Sequence, residues 1–433
     1  MARILFTTMP MAGHLRPGLP IARELLAAGH DVAWYSGAKY RHLVERIGAR
    51  VYPMAAGLDF DDAAIEERPG SRPGLQTLKQ AILDVFIRPI PAWVAEIDAV
   101  VEDFRPDVVV AEQGFMAGPL AGRRRGVPSV VFSVSPLGLT SADAPPFGTG
   151  LLPGSRLRNR TLNWALRAVV FAAPQRAAEQ VLAGLGLPPI DAYFMDWGAE
   201  IADRYLVPSV PEFEYPRRDL PATVEFVGPF LPAGVDEFTP PPWWDDVLAA
   251  RTSGRPVVLV TQGTIATDPA NLVLPAVTGL AGDDDGTAPL VVATTVGHDP
   301  DEVLPPAQRP ANARLAAYVP FDRMLPLTDV FVTNGGYGGV QQALAAGVPV
   351  VVAGTTEDKA EVSARVTWSG AGIALRTDTP TADQVAGAVR TVLADGTHRT
   401  RARELQAAYA GYPGERRAAE AVLEVASARR LVA

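Results

Sequence analysis

The run Val330-Phe331-Val332-Thr333-Asn334-Gly335-Gly336-Tyr337-Gly338-Gly339-Val340-Gln341-Gln342-Ala343-Leu344 decides the fold of this chain. β-Branched and aromatic residues end in glycines and pass directly into a helix-forming segment, the order of strand, tight turn and helix. Such a turn leaves backbone N–H groups free in front of the helix dipole, where a phosphate or diphosphate fits. Taken alone, the same glycines would also suit an ordinary packed strand–turn–helix.

Outward from this stretch the pattern repeats. Strands are expected at 256–261, 290–296, 313–319 and 349–353 around it, and at 3–8, 31–36, 51–54, 107–112 and 129–135 in the first half. Amphipathic segments separate them, and the first, 19–28, stops at Gly29, a suitable C-terminal cap. Short apolar strands alternating with helices indicate α/β domains with doubly wound parallel sheets covered on both faces.

With 433 residues the chain exceeds what one core supports. The expected division is a first domain at 1–215, a proline- and glycine-rich linker at 216–255, a second domain at 256–414 and a terminal helix at 415–433. Two segments, 57–74 and 136–153, fit the alternation poorly and are expected to be functional loops.

Composition removes several classes of function. The sequence has no cysteine, so disulfides, thiolate metal sites and cysteine nucleophiles are excluded. A net charge of −9 argues against a nucleic-acid partner, which would call for a basic face. Hydrophobic residues make up 48% of the chain, yet no run of about 18 apolar residues could enter a membrane. Met1-Ala2-Arg3 leads straight into the first strand without a leader pattern, so a cytoplasmic location is expected. Asp59-Phe60-Asp61 and Asp283-Asp284-Asp285 look superficially like metal-binding acid pairs, but they fall in polar loops and are expected to be solvated.

Around the glycine turn stand Val319-Pro320-Phe321, Leu325-Pro326-Leu327-Thr328-Asp329, Ala346-Gly347-Val348-Pro349 and Asp358-Lys359, and farther off Gly13-His14 and Thr261-Gln262-Gly263-Thr264. This ordered set resembles the nucleotide-sugar-dependent glycosyltransferases of the UDP-glycosyltransferase family, bacterial natural-product type. The resemblance covers most of the chain. It implies the GT-B fold, two Rossmann-like domains facing across a cleft, with the last helix returning to the first domain.

The resemblance also implies roles. His14, the one histidine of five in a glycine- and proline-containing loop at a strand's C-terminal end, would be the general base that takes the acceptor hydroxyl's proton. Its imidazole titrates close to working pH. Glu112 stands where relatives carry an aspartate that orients this histidine. Donor binding would fall to Gly263, Thr264, Val319, Phe321, Asn334, Gly335, Gly336, Gly338, Gly339, Val340, Asp358 and Lys359. Phe321 would offer a face to the nucleobase, and Asp358 and Lys359 would read the sugar hydroxyls. Asn334 replaces the family's histidine and Gly339 its serine or threonine, which removes a positive charge while leaving donors to a diphosphate. A lipophilic acceptor would lie near Met11, Phe60, Phe86, Phe115 and Phe147.

The expected activity is therefore inverting transfer of a hexose from an NDP-sugar, UDP-glucose favoured over a dTDP-sugar, to a hydroxyl of a lipophilic natural product. No metal and no cofactor beyond the sugar donor is expected, and the chain would be a monomer or homodimer. The alternatives are a nucleotide-sugar epimerase of similar architecture, or an idle binding homologue whose donor site has decayed at Asn334 and Gly339. A dinucleotide oxidoreductase fits less well, because the first strand is not followed by G-x-G-x-x-G.

Overall fold

A computed structural model describes residues 1–61, 74–232, 238–263, 268–283 and 285–432. The chain forms two parallel sheets. The first contains β1 (Arg3–Thr7), β2 (Asp31–Ser36), β3 (Arg50–Pro53), β4 (Val108–Glu112), β5 (Ser129–Phe132), β6 (Arg204–Val207) and β7 (Val224–Phe226). Their order is β3-β2-β1-β4-β5-β6-β7. The second contains β8 (Val257–Thr261), β9 (Leu290–Thr294), β10 (Ala313–Ala316), β11 (Val330–Thr333), β12 (Val350–Val352) and β13 (Gly372–Ala374), ordered β10-β9-β8-β11-β12-β13.

The central strands are apolar throughout because both faces are covered. In β4, Val108 and Val110 face one core and Val109 the other. In β8, Val257 and Leu259 alternate with Val258 and Val260 in the same way. This period of two fixes the register of each strand, since a one-residue slip would exchange the two cores. Helix Gly18–Ala27 buries Ile21, Ala22 and Leu25 on one stripe, and Gly29 ends it at φ +79°.

The strand order reverses between β1 and β4 in the first sheet and between β8 and β11 in the second. At such switch points the following loops diverge and leave a crevice at the strands' C-terminal ends. His14 follows β1, Glu112 ends β4, Gly263 follows β8 and Asn334 follows β11.

Three features depart from expectation. The stretch 216–255 holds β7 at one end and helix Trp244–Ser253 at the other, whose Val247 and Ala250 enter the second core. The strands β6, β7 and β13 are too short to announce themselves. The helix beginning at Leu75 loosens into π turns over Ile82–Ile87. The terminal helix Gly414–Val432 lies on the first sheet, with Ala418, Val422 and Val425 in one core with Ile21 and Leu25. No described helix is long and apolar enough to cross a membrane.

Candidate active site

The chain after β1 closes at once into a short helix, Ala12–Leu15, instead of the open loop expected, and this helix presents His14. The β1–β4 register pairs Thr7 with Ala111, so Glu112 lies level with the residues just beyond β1. His14 Nδ1 stands 3.0 Å from Glu112 Oε2, at ion-pair distance. The histidine side chain is 21% exposed and the glutamate 0%, so the ring borders the crevice while its partner is sealed beneath it.

Two backbone donors hold the glutamate. Gly114 N–H donates to Oε2 at 2.7 Å and Met9 N–H to Oε1 at 3.4 Å. These two bonds fix the carboxylate in place beneath the ring. Glycine at 114 leaves the pair room, since a Cβ would lie a tight 3.3 Å from both Glu112 oxygens and from His14 Cε1. Its position two places after Glu112 is the one signal the sequence carries for it.

Burial pulls the His14 pKa down, but Glu112, joined by Asp358 and Glu357 of the second domain, outweighs it and leaves the pKa above the ordinary 6.5. Two carboxylates that follow β12 of the second sheet thus act on a histidine that follows β1 of the first. Asp358 is pushed up to about 6, first by burial and then by the like charge of Glu357. It is still ionised at neutral pH and can accept hydrogen bonds from hydroxyls.

On the second sheet the two turns interlock. Gly335 takes φ +93°, and a Cβ there would meet Val352 at 2.8 Å. Gly263, at φ +88°, has its Cβ position 2.7–3.1 Å from the Asn334 amide. Asn334 is buried, and its Oδ1 accepts the Gly336 N–H at 3.4 Å, which leaves Nδ2 without a partner among the described residues. Helix Tyr337–Ala345 begins without a side-chain cap. Its first N–H to pair back is that of Val340, to Gly336 O at 3.1 Å. The N–H groups of Tyr337, Gly338 and Gly339 therefore remain at the positive end of the helix.

Several expected site residues sit elsewhere. Val340 is fully buried with its N–H closed into the helix, and Val319 is fully buried too, so neither offers a side chain to a ligand. Phe321 packs edge-to-face on Phe331 at 5.4 Å, beneath the turn. Its neighbour Tyr318, missed in the sequence, is the aromatic at this edge, 69% exposed. Lys359 is buried, and its ammonium pairs with Glu357 at 2.5 Å instead of standing free for a sugar. Phe115 is wholly buried between Trp93 and Tyr35, 5.0 and 6.1 Å away between ring centres, so it belongs to the core and not to an acceptor surface. Met11, Phe60 and Phe86 are half-buried on that same core and Phe147 is half-buried against Gly138, so these four keep part of their side chains at the surface and stay compatible with an acceptor face. Thr264, Asp284 and residues 62–73 of the acidic segment lie outside the described residues. Asp59 accepts Ala38 N–H and Asp61 pairs with Lys39, which ties their loop to the segment after β2, while Asp285 accepts from Thr287 within its own loop.

With this geometry in hand, the relatives can be placed. Residues 287–425 match the family model described as erythromycin biosynthesis protein CIII-like, C-terminal domain. The 4'-demethylrebeccamycin synthase of Lentzea aerocolonigenes is 42% identical over 416 residues, covering 94% of this chain and 96% of that protein. UDP-glycosyltransferase 2 of Phaeomoniella chlamydospora is 32% identical over 448 residues, 98% and 96% of the two chains. Among solved structures, the kitacinnamycin glycosyltransferase superposes with a TM-score of 0.73 at 24% identity, covering 98% and 99% of the two chains. The calicheamicin glycosyltransferase CalG4 does so with the same TM-score, identity and share of this chain, and 98% of its own. Such similarity over nearly the whole length, on the same pair of facing sheets, places the chain in the UDP-glycosyltransferase family as a GT-B glycosyltransferase of the bacterial natural-product type.

Proposed function

We propose that this glycosyltransferase moves a hexose, with inversion, from UDP-glucose in preference to a dTDP-sugar onto a hydroxyl of a lipophilic natural product. The acceptor would be aromatic or macrocyclic, of polyketide, macrolide or flavonoid-like character. The observation that carries the reading is the His14–Glu112 pair at one switch point, coupled electrostatically to Asp358 beside the glycine turn at the other. Neutral His14 takes the hydroxyl proton as the oxygen attacks the anomeric carbon, and Glu112 stabilises the imidazolium that forms. Asp358 accepts from the sugar hydroxyls. The growing charge on the leaving diphosphate is held by Asn334, the N–H groups of Tyr337, Gly338 and Gly339, and Thr264. A nearly full-length relative is named a UDP-glycosyltransferase, which supports UDP as the nucleotide. Incubating an acceptor panel with UDP- and dTDP-sugars and weighing the products tests this. A hexosyl adduct is expected, and it would exclude both the epimerase and the idle homologue.

Because the charge stabilisation is assigned to backbone and amide donors, transfer should persist after chelator treatment. Loss with EDTA and rescue by magnesium or manganese would return the acidic loops to consideration as metal ligands.

One observation favours the idle-homologue reading: Oδ1 of Asn334 is already engaged by Gly336. If the free Nδ2 contacts the diphosphate, Asn334→Ala should weaken donor binding by roughly 1–3 kcal/mol, the scale of a hydrogen bond to a charged group. An idle site would show no affinity for UDP or dTDP in the parent protein and no effect of the substitution. Calorimetric titration of both proteins separates the two.

A further inference from the structure

Away from the dyad and the glycine turn, the two domains are joined by a buried polar network. Helix Lys359–Ser369, which starts at Asp358, carries Glu361 and Arg365 on its next turns, and their side chains are 2% and 1% exposed. Arg365 donates through Nε to Glu214 Oε2 at 2.6 Å, through Nη1 to Glu361 Oε2 at 3.0 Å and through Nη2 to Leu137 O at 2.9 Å. The other oxygen of Glu361, Oε1, accepts the N–H groups of Gly148 and Gly150, each at 2.9 Å.

Those glycines belong to the 136–153 loop of the first domain. Gly148 has φ +89° and Gly150 φ +61°, so their N–H groups converge as an anion-binding nest, and the anion is a carboxylate of the other domain. Thr149 tightens the turn, with Oγ1 donating to Pro146 O at 2.7 Å. Gly150 lies so close to the helix that a Cβ would come within 3.1 Å of Ala360. Phe147 sits inside this turn, and its ring lies 2.9 Å from where a Cβ on Gly138 would be.

Two guanidiniums, Arg365 and Arg217, meet at Leu137 O and face two carboxylates, Glu214 and Glu361, so charge balance accounts for Glu361 Oε2 on Arg365 but not for the two loop N–H groups that Oε1 accepts. We propose that Glu361 is a positioning residue for transfer: it fixes the 136–153 loop, and Phe147 with it, relative to the donor-side start of its own helix. This rests on reading Phe147 as an acceptor contact and Asp358 as a sugar contact.

Positioning and mere charge balance predict opposite orders of substitution. Glu361→Asp keeps the charge but draws the carboxylate back from the nest by one methylene. Glu361→Gln keeps the length and an oxygen for both N–H groups but gives up the charge and turns an NH2 toward the Arg365 Nη1 donor. Gly148→Ala disturbs the nest from the loop side with every charge intact, since its Cβ meets nothing within 4 Å while its φ of +89° disfavours alanine.

The test uses the full chain with UDP-glucose as donor and a flavonol as acceptor probe, alongside amide hydrogen exchange of the loop and calorimetry with UDP. In Glu361→Asp and Gly148→Ala, exchange at Gly148 and Gly150 should quicken and the acceptor KM rise about tenfold or more, the scale of losing charge-assisted hydrogen bonds. UDP affinity should stay within about twofold, because the loop lies outside the second domain. Glu361→Gln should stay closer to the parent in both readouts. The proposal is overturned if Gln is the damaged variant and Asp the tolerated one, if loop exchange is unchanged throughout, or if UDP affinity falls in step with acceptor KM. A parent protein that transfers no sugar to any panel acceptor overturns the proposed function and this role with it, whereas normal transfer by the Asp and Gly148→Ala variants overturns the role alone.

Discussion

His14→Ala should lower sugar transfer by roughly 10²–10⁴-fold, the usual contribution of a positioned general base. UDP affinity, measured by calorimetry, should stay within a few-fold, because the ring belongs to the first sheet while the diphosphate donors stand on the second. The parent profile adds a signed check. The neutral ring is the active form, and the pKa is raised above 6.5 by Glu112, Asp358 and Glu357 against the effect of burial. The rate should therefore climb with rising pH through a value above 6.5. Near-normal turnover in His14→Ala would remove the histidine from the chemistry.

Glu112→Gln should cost on the order of 10²-fold or more, since the base loses the charge that stabilises its protonated form and the group that orients the ring. With the carboxylate gone, burial still acts on His14 and lowers its pKa, so the acidic limb of the profile should move to lower pH than in the parent. Glutamine occupies nearly the same volume and can still accept from Gly114 or Met9, so the fold should survive. A rate and profile identical to the parent would show that Glu112 serves only to satisfy those two backbone donors.

Much of this arrangement was legible in the sequence because its determinants are local. Strands such as Val108-Val109-Val110-Ala111 are apolar at consecutive positions, which only a doubly covered sheet requires, and each switch-point loop follows such a strand. The Glu112 substitution for aspartate did not hide its position, since that position is set by the end of β4. What the sequence concealed depends on distant packing. The strands β6, β7 and β13 have 4, 3 and 3 residues and owe their pairing to neighbours far along the chain. Phe115 follows a glycine in a turn, where no periodicity states whether a ring points to the crevice or into the core. Val340 falls among the residues expected to bind the sugar donor because the sequence does not place the start of its helix at Tyr337 to the residue, and that start closes its N–H. Glu361 and Arg365 read as ordinary helix-surface charges until the first domain is laid against them.

The central claim is direct displacement at the anomeric carbon by a hydroxyl that His14 deprotonates. A single in-line displacement inverts the anomeric centre, whereas two successive displacements would retain it. The decisive measurement is the anomeric configuration, by proton NMR, of the product formed from UDP-α-glucose. Inversion yields a β-glucoside with the large coupling of diaxial protons. An α-glucoside would contradict it.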